Sequence, residues 1–156
     1  MPTTVALPDL AATRQLGARI AALLVPRDVV ALEGELGAGK TELARAILRK
    51  VTDDPALTVP SPTFTLVETY DAASGVSFWH FDLYRLAAPD DAWELGLEEA
   101  LTDGVSLIEW PENLGRLMPS SYLAVHLDII DGSESRIAAI TGHGAWQARA
   151  AAVLRQ

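Results

Sequence analysis

The feature that most constrains this chain is a glycine-rich segment at residues 34–41, which reads Gly-Glu-Leu-Gly-Ala-Gly-Lys-Thr. The segment matches the pattern G-x-x-x-x-G-K-[ST] at every fixed position. Its glycines allow turn dihedrals that are closed to other residues, so that successive N–H groups can point at one chain of phosphates. In this pattern, Lys40 reaches the terminal phosphates and the hydroxyl of Thr41 faces Mg²⁺. The segment therefore predicts a phosphate-binding loop (P-loop).

The residues on either side of this loop agree with that prediction. Residues 29–32 form a short apolar run that is typical of a fully buried strand, and they lead directly into the loop. After the loop, apolar residues recur at helical spacing up to Asp53, at Leu43, Ala44, Ile47, Leu48 and Val51. A chance glycine loop is the alternative, but strand, loop and helix follow in the order that a P-loop requires.

Length and composition favour one soluble domain that spans residues 1–156 and contains the P-loop. The expected fold is α/β and P-loop NTPase-like, with a central, mostly parallel sheet that also contains antiparallel strands and with helices on both faces. No apolar run approaches the ~18 residues of a membrane span, and no basic-then-apolar leader opens the chain. We therefore expect a cytoplasmic protein without membrane contact. The absence of cysteine agrees with a reducing compartment.

The charge balance argues against direct binding of nucleic acid. Acidic residues outnumber basic ones 21 to 12, which gives a net charge of −9. A domain that holds RNA or DNA on its own surface normally carries a basic stripe that neutralises phosphates. We therefore expect no stable nucleic-acid binding by the chain alone. A basic protein partner, or a complex that supplies the RNA-binding surface, remains open.

Hydrophobic periodicity predicts the other elements of the chain. Asp9 is a candidate N-cap of a helix that stops at Pro26 and buries one face, formed by Leu10, Leu16, Ile20, Leu23 and Leu24. Strands are predicted at residues 3–7, 63–70, 76–84, 105–108, 122–130 and 136–141, and helices at residues 89–101, 111–117 and 145–154. The strands at 63–70 and 76–84 are expected to pair as a hairpin.

An acidic residue inside the apolar strand at 76–84 is a candidate functional group. The period of two places Asp82 on the same face as His80, and a carboxylate is costly to bury without a cation or hydrogen-bond donors. Mg²⁺ or its coordinated water is one possible partner of Asp82, and a salt bridge with Arg85 is the other. Sequence alone does not decide between them. His80 is interpreted as a packing histidine, because one histidine without a second nearby makes a poor metal site.

Glu109 closes the apolar strand at 105–108, which gives the form of a Walker B strand. The carboxyl-terminal edge of a parallel sheet is where α/β proteins bind ligands. Glu109 is therefore a candidate to hold Mg²⁺ through water or to orient an attacking water. The alternative is a helix-capping or solvated glutamate before Pro111.

Four segments together resemble one protein family. They are residues 34–41, Ser-Pro-Thr-Phe-Thr-Leu-Val at 61–67, His-Phe-Asp-Leu-Tyr-Arg-Leu at 80–86 and Ile-Glu-Trp-Pro-Glu at 108–112. In this order and spacing they resemble the bacterial TsaE (YjeE) ATPases. The resemblance implies an ATPase that is needed to place threonylcarbamoyl on the adenosine beside the anticodon, in tRNAs reading codons that begin with A. It also implies the partners TsaD and TsaB, while another enzyme makes the threonylcarbamoyl-adenylate.

The resemblance assigns roles to particular residues. It implies that Lys40, Asp82 and Glu109 are catalytic and that Thr41, Glu109 and Asp82 hold Mg²⁺. Segment 61–67 would be a nucleotide-sensing switch, and Trp110 would either pack or transmit the nucleotide state. The implied ATP contacts are Gly34, Glu35, Leu36, Gly37, Ala38, Gly39, Lys40, Thr41, Glu42 and Arg136. One departure is Glu42, where the family usually has a small hydroxyl residue; its carboxylate would oppose phosphate unless it turned outward, although its backbone N–H can still contribute.

The resulting hypothesis is a weak Mg²⁺-dependent ATPase that acts on the TsaD–TsaB complex and meets tRNA only through it. Arg45 and Arg49 lie on the helix that runs away from the phosphates, and Arg85 would be held by Asp82 if that pair formed. The sequence therefore offers no convincing arginine finger, that is, no arginine placed to contact the γ-phosphate. Two other classes stay open. One is a small-molecule P-loop kinase, and the other is a nucleotide-dependent interaction module with little turnover.

Overall fold

The computed structural model describes residues 2–155, which form one seven-stranded sheet with helices packed against it. The strands are β1 (Thr3–Leu7), β2 (Val29–Glu33), β3 (Val67–Asp71), β4 (Ser77–Asp82), β5 (Val105–Glu109), β6 (Tyr122–Ile129) and β7 (Arg136–His143). The α-helices are α1 (Leu10–Ala21), α2 (Lys40–Val51) and α3 (Leu97–Asp103). Short 3₁₀-helices cover Pro89–Leu95, Pro111–Leu117, Gly144–Gln147 and Ala150–Leu154.

The sheet is parallel in its centre and antiparallel at its edges. The strand order is β1-β7-β6-β2-β5-β4-β3. The four central strands β6, β2, β5 and β4 run parallel, whereas β1, β7 and β3 pair antiparallel with their neighbours. The α/β fold with its mixed sheet is therefore the predicted one. Because β2, β4 and β5 run in the same direction, their carboxyl ends lie at the same edge of the sheet.

Helices cover both faces of the sheet, as the sequence predicts. Alternate residues of β2 point to opposite sides, and Val30 belongs to the core beneath α1 and α2. Val29 belongs to a second core beneath α3 and the 3₁₀-helix at Pro111–Leu117. Residues 29–32 are at most 2% exposed. Burial on both faces explains why β2 reads as a continuous apolar run rather than an alternating one.

Helix α1 begins where the sequence places it but differs in its buried face. The Asp9 side chain accepts a hydrogen bond from the Ala12 N–H at 2.9 Å, so Asp9 is the N-cap. Leu10 was expected on the buried face and is instead 41% exposed. The helix ends at Ala21, so Leu23 and Leu24 pack against the core from the following turn.

The predicted strand at 63–70 is too long by four residues, because β3 begins at Val67. Leu66 has a φ of 69°, a left-handed conformation that breaks an extended strand. Its N–H donates to the Pro62 carbonyl at 2.7 Å, and its carbonyl accepts from the Asp82 N–H at 3.0 Å. These bonds fold residues 63–66 into turns beside the end of β4. The Thr63 side chain is thereby brought close to Asp82.

The predicted helix at 89–101 is in fact two helices separated by Gly96, which has a φ of 94°. A Cβ at this position would lie 2.6 Å from the Trp79 ring, so the chain turns tightly against that indole. Trp93, on the first of these two helices, is 46% exposed. The predicted terminal helix at 145–154 also divides, into the two 3₁₀-helices, whose N–H groups bond three residues back.

The helices in residues 2–155 are all too short or too polar to cross a bilayer.

Candidate active site

Three parallel strands bring the predicted site residues together at one edge of the sheet. Strand β2 leads into the P-loop, β4 ends at Asp82 and β5 ends at Glu109. Asp82 and Glu109 are direct partners in the β4–β5 register. Between them and the loop lies a cavity of about 250 Å³, lined by Leu36, Gly37, Ala38, Gly39, Lys40, Thr41, Glu42, Ser61, Thr63, Asp82, Glu109 and Trp110. Residues that are distant in sequence thus share one cleft.

The glycines of the loop are required by its backbone. Gly34, Gly37 and Gly39 have φ values of 139°, 83° and 109°. A Cβ on Gly34 would lie 2.5 Å from the Leu127 carbonyl oxygen, so this position has no room for a side chain. Gly39 is the N-cap of α2 and offers no side-chain acceptor to the first N–H groups of that helix. A helix start without a side-chain cap is suited to an anion.

Lys40 is folded back over its own loop. Its ammonium donates to the Gly34 carbonyl at 2.5 Å and to the Glu35 carbonyl at 2.9 Å. The same nitrogen lies 3.9 Å from the centre of the Trp110 ring. Burial lowers the pKa of Lys40 below its ordinary value, although the nearby carboxylates of Glu109, Glu112, Asp82 and Glu35 oppose this shift. A lysine held here by carbonyls and an indole, rather than by an ion pair, is free to exchange these contacts for phosphate oxygens.

Glu109 connects the P-loop helix to β4. The Thr41 hydroxyl lies 3.0 Å from both carboxylate oxygens of Glu109. His80 Nε2 lies 2.7 Å from Glu109 Oε2, and both side chains are at most 3% exposed. Glu109 is therefore neither a solvated glutamate nor a helix cap. His80 is buried, as a packing residue would be, but it also makes a polar contact with Glu109, which the sequence did not suggest.

Asp82 is buried among hydrogen-bond donors. Its side chain accepts from the Thr63 hydroxyl at 3.0 Å and from the Tyr84 N–H at 3.1 Å. The Arg85 guanidinium lies 4.7 Å from the centre of the Phe64 ring, and Asp82 has no ion pair within residues 2–155. Of the two partners that the sequence left open, the Arg85 salt bridge is therefore wrong. Asp82, at 4% exposure, faces the same cavity as Thr41 and Glu109.

Segment 61–67 reaches Asp82 through its hydroxyl groups. Ser61 and Thr63 lie 2.8 Å apart by their hydroxyl oxygens, and Thr63 then donates to Asp82. The next residue, Phe64, points outward and is 81% exposed. The segment thus links a buried carboxylate to an exposed aromatic ring over two adjacent residues.

Arg136 and Glu42 lie beside the loop near the start of α2. Arg136 donates to the Ala38 carbonyl at 3.0 Å and to the Gly37 carbonyl at 3.4 Å. Glu42 accepts from Arg45, so its carboxylate is directed toward that guanidinium. Both line a groove of about 270 Å³ beside the start of α2, together with Asp9, Leu10, Thr13, Ala38, Gly39, Leu127, Ser133 and Glu134. The two cavities therefore adjoin each other at Ala38, Gly39 and Glu42, which line both.

The oxygen atoms at the β4–β5 edge fit Mg²⁺ bound together with phosphates. Within residues 2–155, no three His, Cys, Asp or Glu side chains form a group that could hold a metal by themselves. Mg²⁺ in nucleotide sites needs no such group, because it takes one or two protein oxygens and completes its shell with phosphate oxygens and water. The Thr41 hydroxyl and the Glu109 and Asp82 carboxylates are hard oxygen donors of this kind.

Comparison with known proteins identifies the family. The family model described as "Threonylcarbamoyl adenosine biosynthesis protein TsaE" matches residues 7–137. The chain belongs to the TsaE family. The tRNA threonylcarbamoyladenosine biosynthesis protein TsaE of Rickettsia conorii is 40% identical over 131 residues, which cover 84% of this chain and 74% of that protein. The TsaE protein of Haemophilus influenzae is 36% identical, and the match covers 83% of this chain and 84% of that protein. The TsaE protein of Streptomyces coelicolor is also 36% identical, and the match covers 84% of this chain and 90% of that protein.

A solved structure shares the fold of this chain. The crystal structure of YdiB from Bacillus subtilis superimposes with a TM-score of 0.72, over 98% of this chain and 93% of that chain, at 24% sequence identity. The family model and the relatives confirm the resemblance to TsaE that the motifs suggested, and the superposition confirms the α/β fold. The family match includes the P-loop, Asp82, Glu109 and Arg136, and it ends before most of β7 and the two terminal 3₁₀-helices.

Sequence reasoning missed one member of the site, His80. The period of two in β4 placed His80 and Asp82 on one face, which was a usable signal. The missing information was that β4 lies directly beside β5, where His80 is in register with Leu107 and can reach across to Glu109.

Proposed function

We propose that this TsaE protein is a weak Mg²⁺-dependent ATPase that serves threonylcarbamoyl modification of tRNA by acting on a complex of TsaD and TsaB. The observation that carries the proposal is the contact between Thr41 and Glu109. A P-loop hydroxyl and a strand-end carboxylate come from separate elements and meet at 3.0 Å inside the cleft. Such a pair is the arrangement by which P-loop proteins hold Mg²⁺ beside the phosphates.

The two cavities favour one direction for the nucleotide. Lys40 and Thr41 belong to the cavity on the β4–β5 side, and these residue types act at the terminal phosphates in P-loops. The groove at Arg136 adjoins this cavity at Ala38 and Gly39, beside the first turn of α2. The triphosphate end would therefore face Asp82 and Glu109, and the nucleoside would lie toward Arg136. Glu42 would contribute its N–H rather than its side chain.

The residues of the chain divide the chemistry between them. Lys40, released from the carbonyls of its own loop, would contact the terminal phosphates. Glu109 and Thr41 would hold the metal, which when bound neutralises charge that develops on the phosphates. Asp82 would orient the attacking water, since it is buried at the same cavity and forms no ion pair within residues 2–155. Thr63 would transmit the state of Asp82 to segment 61–67.

Four arginines near the cleft or on its neighbouring elements are already engaged, which would make hydrolysis by the isolated chain weak. Arg45 donates to Glu42 and to the Val59 carbonyl, Arg49 donates to the Leu57 carbonyl, and Arg136 donates to the carbonyls of the loop. Arg85 lies over Phe64. An arginine supplied in trans can raise the rate of phosphoryl transfer by about 10³ to 10⁵. A partner protein is therefore expected to complete the site.

The test is phosphate release by the chain alone, with TsaD and TsaB, and with both partners plus tRNA. We expect feeble hydrolysis by the chain alone and a clear increase with the partners. Lys40→Ala should abolish hydrolysis and weaken nucleotide binding while the protein stays folded. The matched control is Lys50→Ala, because Lys50 is an exposed lysine near the far end of the same helix and should leave the activity unchanged.

Several outcomes would contradict this proposal. Full activity by the isolated chain would remove the need for a partner. Normal hydrolysis by Lys40→Ala would remove the site assignment. Tight, salt-sensitive binding of tRNA to the isolated chain would contradict the argument from its charge of −9. Transfer of the labelled phosphate to a small molecule instead of water would indicate a kinase.

A further inference from the structure

The buried contact between His80 and Glu109 is not explained by packing alone. His80 is fully buried, at 0% exposure, on a central strand of the sheet. Its Nε2 atom lies 2.7 Å from Glu109 Oε2, the shortest of the contacts that hold this carboxylate. A polar side chain in such a position is costly to bury unless its hydrogen bonds are well made. Packing alone would be served better by an apolar residue of the same size.

The hydrogen-bond pattern identifies the form of the imidazole ring. A carboxylate can only accept, so Nε2 must donate its hydrogen to Glu109. The other ring nitrogen, Nδ1, has no hydrogen-bond partner within residues 2–155. With its hydrogen on Nε2, the neutral ring satisfies its donor and leaves only an acceptor unpaired. The ring therefore acts as a fixed N–H donor directed across the sheet at one oxygen of Glu109.

The neighbours of the pair fix its geometry. His80 lies opposite Leu107 in the β4–β5 register, two residues before the point where Asp82 lies opposite Glu109. The imidazole thus reaches across to the side chain at the end of the adjacent strand. There it fixes one carboxylate oxygen, while Thr41 contacts both oxygens from the start of α2. The side chain of Glu109 is held from two directions by two different elements.

We propose that His80 is a positioning residue that fixes the carboxylate of Glu109 in the orientation needed to hold Mg²⁺ beside the P-loop. This inference rests on the proposed role of Glu109 in binding the metal. Groups that hydrogen-bond to a metal ligand restrict its orientation, and their loss commonly lowers metal affinity by about 10- to 100-fold. His80 therefore acts through Glu109 and does not touch the nucleotide.

Two amide substitutions separate this role from simple burial of a polar group. In His80→Gln, the amide nitrogen is the same number of bonds from the backbone as Nε2 and can still donate to Glu109. In His80→Asn, the amide nitrogen corresponds to Nδ1 and falls short of Glu109. Both variants keep a neutral polar group in the buried position. They differ mainly in whether an N–H donor reaches the carboxylate of Glu109.

The measurement is the affinity for a non-hydrolysable ATP analogue, determined with Mg²⁺ and with EDTA by calorimetry. The ratio of the two affinities reports how well the site holds the metal, independently of turnover. We expect the wild-type ratio to be kept within about threefold in His80→Gln and to fall by about tenfold or more in His80→Asn. The affinity in EDTA should stay unchanged in both, because His80 does not reach the phosphates.

The controls distinguish failure of this inference from failure of the proposed function. Glu109→Gln should lose the Mg²⁺ dependence; if it keeps the wild-type ratio, Glu109 does not hold the metal and both ideas fail. If Glu109→Gln loses the dependence while His80→Asn keeps it, only the role of His80 is refuted. Equal loss in His80→Gln and His80→Asn would also refute it. If His80→Asn does not fold, His80→Met fills the space without a donor and takes its place.

Discussion

Removal of Arg149 should destabilise the protein strongly, although the residue lies beyond the segment that matches the TsaE family model. Its guanidinium donates two hydrogen bonds to Asp28, at 2.6 and 2.8 Å, and a third to the Leu23 carbonyl at 2.6 Å. It also lies 3.7 Å from the centre of the Trp146 ring. The hydrogen bonds that it donates to Asp28 raise the pKa of Arg149 above its ordinary value. This arginine ties the end of the chain to the residue before β2.

The magnitude follows from the burial of the two partners. The Asp28 side chain is 9% exposed and that of Arg149 is 32% exposed. Without Arg149, Asp28 keeps a hydrogen bond from the Val25 N–H at 2.8 Å but no cation. Removal of one partner of a fully buried pair costs about 3–5 kcal/mol. Because solvent screens part of this guanidinium, we expect Arg149→Ala to cost about 2–3 kcal/mol. That corresponds to a fall in the melting temperature of roughly 5–10 °C.

The assay is urea unfolding at constant pH with a matched arginine as control. Arg116 forms an ion pair with Asp90 at 3.1 Å, in which the side chains are 75% and 64% exposed. Arg116→Ala should therefore cost less than about 0.5 kcal/mol. Combining Arg149→Ala with Asp28→Ala should be less damaging than the sum of the single changes, because the two groups interact. Equal, small effects of Arg149→Ala and Arg116→Ala would refute the reasoning.

Three further predictions concern the cleft. Asp82→Asn should lower turnover by on the order of a hundredfold with ATP binding retained, as measured by steady-state kinetics beside nucleotide titration; loss of both fold and binding would instead indicate a structural aspartate. Gly34→Ala should weaken nucleotide affinity, because the added Cβ would lie 2.5 Å from the Leu127 carbonyl oxygen. Gly75→Ala is the control, because Gly75 also has a positive φ but a Cβ there would meet no atom within 4 Å. Binding of phosphates should raise the lowered pKa of Lys40, so affinity should be full below that pKa and fall as the pH rises through it. Lys40→Arg, which stays charged, should not show this alkaline fall.

Local constraints on the chain made much of the site predictable from sequence. The dihedrals of the loop at residues 34–41 depend on its glycines, so a tight glycine-rich loop could be predicted there without knowledge of the fold. The strand before it and the strand that ends at Glu109 are buried on both faces, and such burial leaves an uninterrupted apolar run. Asp82 was noticed because a carboxylate in an apolar strand needs a partner. In each case the signal lies within a few neighbouring residues.

What the sequence could not determine are contacts between segments that are distant along the chain. Leu66 reads as part of a strand, but its carbonyl bonds to the Asp82 N–H, and residues 63–66 form turns instead. Arg85 is three residues from Asp82, yet its guanidinium lies over Phe64 because the turn brings that ring beneath it. In both cases the contact that decides the local structure is made with a residue that is distant in the sequence.

His80 shows the physical reason most clearly. The alternation in residues 76–84 by itself determined that His80 and Asp82 share a face, and the apolar run at 105–108 determined that Glu109 ends a buried strand. Periodicity fixes the face of a residue but not the neighbour of its strand. Only the order of strands in the sheet placed β4 beside β5, and only their register brought Nε2 to 2.7 Å from Glu109.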